Sequence, residues 1–169
     1  MRIAGSYEGQ QINDQRQYVW NYFQLHASQR LITFNFYIVI STAIAAGYIV
    51  ALRVNSIPVL AILLGFTISL LSFIFWKLDM RNKLLIKNAE EALKYLEALT
   101  CTPGDKNKSN ILKIFTYEEG QTNKMKTTKS FWPWKNHYSY SKCFNMVFAV
   151  FGILGLLGTV YAIVITIIG

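Results

Sequence analysis

The chain has 169 residues, 53% of them apolar and only 15% charged, with a net charge of +8. That balance is too apolar and too sparsely charged for an ordinary soluble domain. Residues 31–52, 57–76 and 144–168 contain no Asp, Glu, Lys or Arg, and each run reaches the ~20 residues a helix needs to cross a hydrocarbon core about 30 Å thick. What remains is too little for a large catalytic domain with its own core, which argues against a soluble enzyme.

In chain order, residues 1–30 form a cytoplasmic or interfacial amphipathic helix. Asp14 is the candidate cap, and Ile12, Val19, Tyr22, Phe23 and His26 recur at three- and four-residue steps. Tyr18, Trp20, Tyr22 and Phe23 suit the headgroup layer. The segment is either the start of the first spanning helix or a separate in-plane element. It lacks the short apolar core of a cleaved secretory signal, so the first span is expected to direct insertion itself.

Residues 31–76 form a transmembrane hairpin, since only Arg53-Val54-Asn55-Ser56 separates its two spans. Ser56 can cap the second helix and Pro58 fits its first positions, where no N–H is needed. Residues 77–143 form a cytoplasmic helix and insertion. Leu78, Asn82, Leu85, Ala89, Ala92, Leu96 and Leu99 alternate steps of four and three, a heptad pattern. It predicts that the second span continues to Leu99, about 30 Å past the membrane. Its stripe, with Leu85, Ala89, Ala92, Leu96 and Leu99 as the docking positions, packs either on residues 11–30 or on another chain.

Residues 102–110 read as a loop. In residues 111–117, Ile111, Lys113, Phe115 and Tyr117 alternate with Leu112, Ile114 and Thr116. With a turn at 118–121 and a return along 122–129, this predicts a small β-hairpin insertion. An aromatic belt (Phe131, Trp132, Trp134, Tyr138, Tyr140) then leads to the third span, residues 144–169.

Thirteen of the seventeen Lys and Arg residues lie in 77–143. Cytoplasmic flanks carry such an excess, so the N-terminus and this segment are expected inside and the C-terminus outside. Anionic lipid accounts for the same basic excess, and nucleic acid is not the expected partner.

The chemistry-bearing residues are few. His26 and His137 have no carboxylate at a telling spacing, and Cys101 and Cys143 make no metal-ligand pattern, so no enzyme, cofactor or metal is expected. Small residues recur at Ala43/Gly47, Ala61/Gly65, Gly152, Gly155, Gly158 and Ala162, faces that let helices approach closely either within one chain or between subunits. Asn35 and Asn145 are costly to bury in a span and lie near its cytoplasmic edge, as a pore mouth or an interhelical pair would require.

The run Tyr22-Phe23-Gln24-Leu25-His26-Ala27-Ser28-Gln29-Arg30 enters the first span, and Phe75-Trp76-Lys77-Leu78-Asp79-Met80-Arg81-Asn82-Lys83-Leu84-Leu85-Ile86 leaves the second. Over residues 11–99 this arrangement resembles small bacterial membrane proteins of antiphage defence loci, and in outline is similar to the two-span SLATT-type effectors. This chain adds a third span and a basic insertion. The resemblance implies a multi-pass inner-membrane effector that forms a pore or disrupts the membrane when a sensor partner detects infection; the small-residue faces add self-association, and the large cytoplasmic segment a soluble cytoplasmic partner. The alternative is a non-conducting scaffold that recruits a soluble enzyme or sensor through residues 77–143.

Overall fold

The computed structural model describes residues 2–53, 58–100, 113–118, 120 and 140–168, the side chains of 2–8 and 100 excepted. Three long helices account for nearly all of them: α1 (Arg2–Arg53), α2 (Pro58–Thr100) and α3 (Tyr140–Ile168). All three are long and apolar enough to cross a membrane. At 1.5 Å per residue, α1 and α2 are each more than twice the length that a ~30 Å span requires. Neither contains a proline beyond Pro58 at the first position of α2, where its missing N–H costs nothing. Residues 11–30 therefore belong to α1 and are not a separate in-plane element.

The chain divides into two units. One comprises Met1–Ser28 with Leu84–His137, the other Gln29–Lys83 with Tyr138–Gly169.

The second unit is a three-helix bundle with α1 and α3 parallel and α2 antiparallel to both. Its inward positions are 30, 34, 37, 41, 44, 48 and 51 on α1, 61, 65, 68, 72, 75 and 79 on α2, and 141, 144, 148, 151, 155, 158 and 162 on α3. Every one is buried or half-buried, and the spacing alternates threes and fours. This is the seam of interlocking side chains that nearly parallel helices share. An aromatic cluster of Tyr37, Phe144 and Phe148 fills one end of it, and Ala51, Ala61 and Ala162 fill the other. The outward faces are apolar and open, with Phe36, Val39, Phe66, Leu70, Ile153 and Leu157 all exposed, as lipid contact requires.

In the first unit, Ala89, Leu93, Leu96 and Glu97 of α2 are buried. Of the expected stripe, Ala89 and Leu96 are buried here and Leu85 and Ala92 half-buried, with Leu93 buried beside them, while Leu99 is 53% exposed.

The expected β-hairpin is not found, and among the described residues there is no strand. Residues 114–118 form one helical turn closed by Tyr117 N donating to Lys113 O at 2.9 Å. Glu97 decides the matter. Its carboxylate accepts from Phe115 N at 3.2 Å, Thr116 N at 3.4 Å and Thr116 Oγ1 at 3.1 Å, and so caps the free amides at the start of the turn. Phe115 also sits edge-on to Trp20 and Phe23, at centroid distances of 6.3 and 5.6 Å. Glu97→Ala should therefore release the turn, and amide hydrogen exchange at Phe115 and Thr116 is expected to accelerate at least tenfold while exchange in α3 stays unchanged. The other half of the expected hairpin, the 102–110 loop, Ser56 and most of the aromatic belt lie outside the described residues.

Candidate functional site

The three helices are joined by polar groups at the edge of their apolar runs. Arg30, the last residue before the first run, donates Nε to Asp79 Oδ1 at 2.6 Å and Nη2 to Asp79 Oδ2 at 3.0 Å. Nη2 also donates to Ser141 Oγ at 3.1 Å. The planar fork of arginine matches a carboxylate in this two-point geometry. The side chains are only 13% and 6% exposed, so the pair is shielded from water. The guanidinium also lies 5.0 Å from the centre of the Phe144 ring, a favourable cation–π position. One arginine on α1 thus holds α2 and α3 together.

Below this clamp, Phe34 stacks on Phe144 with centroids 3.9 Å apart and rings 5° from parallel. Tyr37 meets Phe148 edge-on at 4.8 Å, and its hydroxyl pairs with Ser72 Oγ at 2.8 Å. Ser72 in turn donates to Ile68 O. Ser41 is fully buried one turn further along, and its Oγ has no partner among the described residues. An unpaired buried hydroxyl costs stability that its removal returns. Ser41→Ala is expected to be neutral or to gain about 1 kcal/mol, whereas Ser72→Ala, which strands the Tyr37 hydroxyl, should lose about 1–2 kcal/mol. Thermal unfolding of the two variants in detergent compares them directly.

Next along the seam, α2 and α3 touch backbone to backbone. A Cβ placed on Gly65 would lie 2.7 Å from Thr159 Oγ1 and 3.0 Å from Thr159 N, and one on Gly155 would lie 2.8 Å from Ser69 N and 2.9 Å from Gly65 O. Gly158 faces the Tyr48 ring, and its carbonyl accepts from Tyr48 Oη at 2.7 Å. The small residues expected at helix contacts therefore meet within one chain at Ala61, Gly65, Gly155, Gly158 and Ala162. Gly152 lies against Ser72 and Gly47 against Leu64, both with room to spare, while Ala43 is exposed.

Of the expected docking positions, Ala89 and Leu96 are buried within the chain, Leu85 and Ala92 are half-buried, and Leu99 is open. Asn35 and Asn145 are both exposed. His26 sits edge-on to Tyr22 at 4.3 Å, and Cys143 is a half-buried free thiol. No group of three or more metal-ligating side chains occurs among the described residues. The clamp itself was not anticipated from sequence. Its signal is there: Asp79 is the one acid among residues 77–89, directly after the second apolar run, and Arg30 immediately precedes the first.

Comparison with known proteins supplies the family. The sequence profile of the octameric membrane protein family matches residues 13–164, which takes in the first two apolar runs and most of the third. The chain belongs to this family. It is also similar to CD-NTase-associated protein 19 of Escherichia coli, with 39% identity over 142 residues that cover 83% of this chain and 85% of the relative. No solved structure matches it. As a member of the octameric membrane protein family it is a multi-pass membrane protein of an oligomer-forming group, and the broader resemblance to antiphage-defence membrane proteins agrees with the relative's name. The narrower likeness to SLATT-type effectors is not reproduced in these matches.

Proposed function

We propose that this chain is the membrane effector of a bacterial antiphage defence system, assembling in the inner membrane into an oligomer that opens a pore when a soluble partner signals infection. The observation that carries the reading is membership in a family described as octameric, matched over residues 13–164. The name of the Escherichia coli relative, CD-NTase-associated protein 19, supports a role beside a partner of the kind that name states. In this reading the chain is not itself an enzyme. Residues 77–143 lie in the cytoplasm, as their basic excess favours, and receive the signal. The Arg30–Asp79–Ser141 clamp, which binds all three helices at one level, is where a displacement of α2 would reach the spans.

The test is membrane potential and dye entry in cells that carry the chain with its neighbouring genes, challenged with phage. Depolarisation that depends on the chain is the expected result. Unchanged potential in every condition, with a soluble protein co-purifying through residues 77–143, would overturn the pore in favour of a recruiting scaffold.

A further inference from the structure

Asn35 and Asn145 are exposed on the outside of the bundle, and neither amide has a partner among the described residues. Asn35 lies five residues past Arg30 and Asn145 four residues past Ser141, which puts both about 6–8 Å deeper than the polar clamp. Lipid offers an amide no hydrogen bond at that depth, so an unpaired asparagine there marks a surface that something polar covers.

The two amides are also related in space. Each follows one member of the Phe34–Phe144 stack, in which α1 and α3 face one another. One residue along either parallel helix turns the side chain by about 100° in the same sense. The amides therefore leave the α1–α3 seam at one depth and on opposite sides.

That arrangement bears on how copies can meet. Chains inserted in one orientation are related only by rotation about the membrane normal, and a ring of more than two then uses two different faces of each chain. Each face must present its polar group at the same depth as the face it meets. We propose that the α1 face carrying Asn35, Val39, Thr42 and Ala46 packs against the α3 face carrying Asn145 and Ala149 of a second copy, with the two amides hydrogen-bonded across the contact. This deepens the oligomeric reading above and rests on it. All six residues are exposed in the single chain. Thr42 Oγ1 is satisfied by Ile38 O and Val39 O of its own helix, so the hydroxyl needs no further partner. An asparagine offers both donors and an acceptor, so two of them can bond reciprocally. The alanines let the backbones close in.

The test uses the full-length chain with Cys101→Ser and Cys143→Ser, in two differently tagged forms, one carrying Asn35→Cys and the other Asn145→Cys. They are co-expressed and oxidised in the membrane. The expected result is a disulfide between the two forms in clear excess over either self-pair, and a ladder of multimers when one chain carries both cysteines. Self-pairs alone, or no cross-link while the unmodified chain still runs as an oligomer in mild detergent, would overturn the interface and leave the oligomer standing. An unmodified chain that is monomeric would remove the oligomeric reading itself. Rapid labelling of Asn35→Cys by a membrane-impermeant maleimide in the intact oligomer would also overturn the proposal, because the face would then line water. As a check free of cysteine, Asn35→Val is expected to shift the oligomer–monomer midpoint by roughly three- to tenfold. No shift would count against the amide contact.

Discussion

Replacing Asp79 with alanine is expected to cost the protein roughly 3–5 kcal/mol, because Arg30 is left charged and shielded with its main partner gone. The carboxylate takes both arms of the guanidinium fork, at 2.6 and 3.0 Å. Ser141 Oγ alone cannot replace it, and the Phe144 face offers only a weak substitute. The double variant Arg30→Met/Asp79→Leu should recover most of the loss, since two apolar side chains of similar size remove the charges together. Arg30→Lys with Asp79 retained should still lose part of the pairing energy, as an ammonium cannot reach two carboxylate oxygens and a serine with the same planar geometry. Unfolding by denaturant in mild detergent measures all three. A single Asp79→Ala within 1 kcal/mol of the natural chain would show that water or lipid headgroups solvate Arg30 in place of the carboxylate.

The second large effect concerns the crossing of α2 and α3. Gly65→Ala and Gly155→Ala each set a methyl group against backbone, at 3.0 Å from Thr159 N and 2.8 Å from Ser69 N respectively. Backbone in a helix cannot rotate aside as a side chain can, so the two helices must separate. We expect a loss of about 1–3 kcal/mol for either alanine, the usual range for overpacking, and failure to form the bundle with leucine. Gly152→Ala and Gly47→Ala meet only ordinary contacts at 3.4 and 3.6 Å, and should be neutral or slightly stabilising because alanine favours the helix. Gly158→Ala falls between, since what it meets at 3.0 Å is the Tyr48 hydroxyl, which can move at the expense of its hydrogen bond. The order of melting temperatures across the five variants checks the scheme. Equal losses at Gly65 and Gly152 would mean that the helices do not cross where their backbones are shown in contact.

The spans were legible because a charge-free run of twenty residues has few other uses, and the extension of the second helix was legible from its heptad steps. The same three-four alternation also runs through the spans, but there it is hidden: inward Ser41, Gly65 and Ser72 look no more like core than outward Leu70 or Val39, since lipid and protein interior select for the same apolar residues. The clamp was missed for a related reason. Arg30 is accounted for by the charge rule that sets orientation, and Asp79 is one acid among many bases, so neither asks for a partner until the helices bring them together. The strand expected at residues 111–117 failed because alternation over so short a run does not separate a strand from a capped turn. What decides is Glu97, eighteen residues before Phe115, whose carboxylate the turn's amides occupy.

The order in which these contacts can form has a bearing on how the protein is made. Arg30 and Asp79 are 49 residues apart, and both leave the ribosome long before the third span. The first two spans can therefore close as a hairpin, with the charged pair and the Tyr37–Ser72 bond already in place, while a groove floored by Gly65 and Ser69 still stands empty. The third span is the one that fills it: Gly155 fits the groove, the Gly158 carbonyl takes up the waiting Tyr48 hydroxyl, and Phe144 slides beneath the guanidinium. A hairpin of the first two spans would thus have its polar groups partly settled, with the Tyr48 hydroxyl and the glycine groove left for the last helix to fill, which makes its docking the late step of biogenesis.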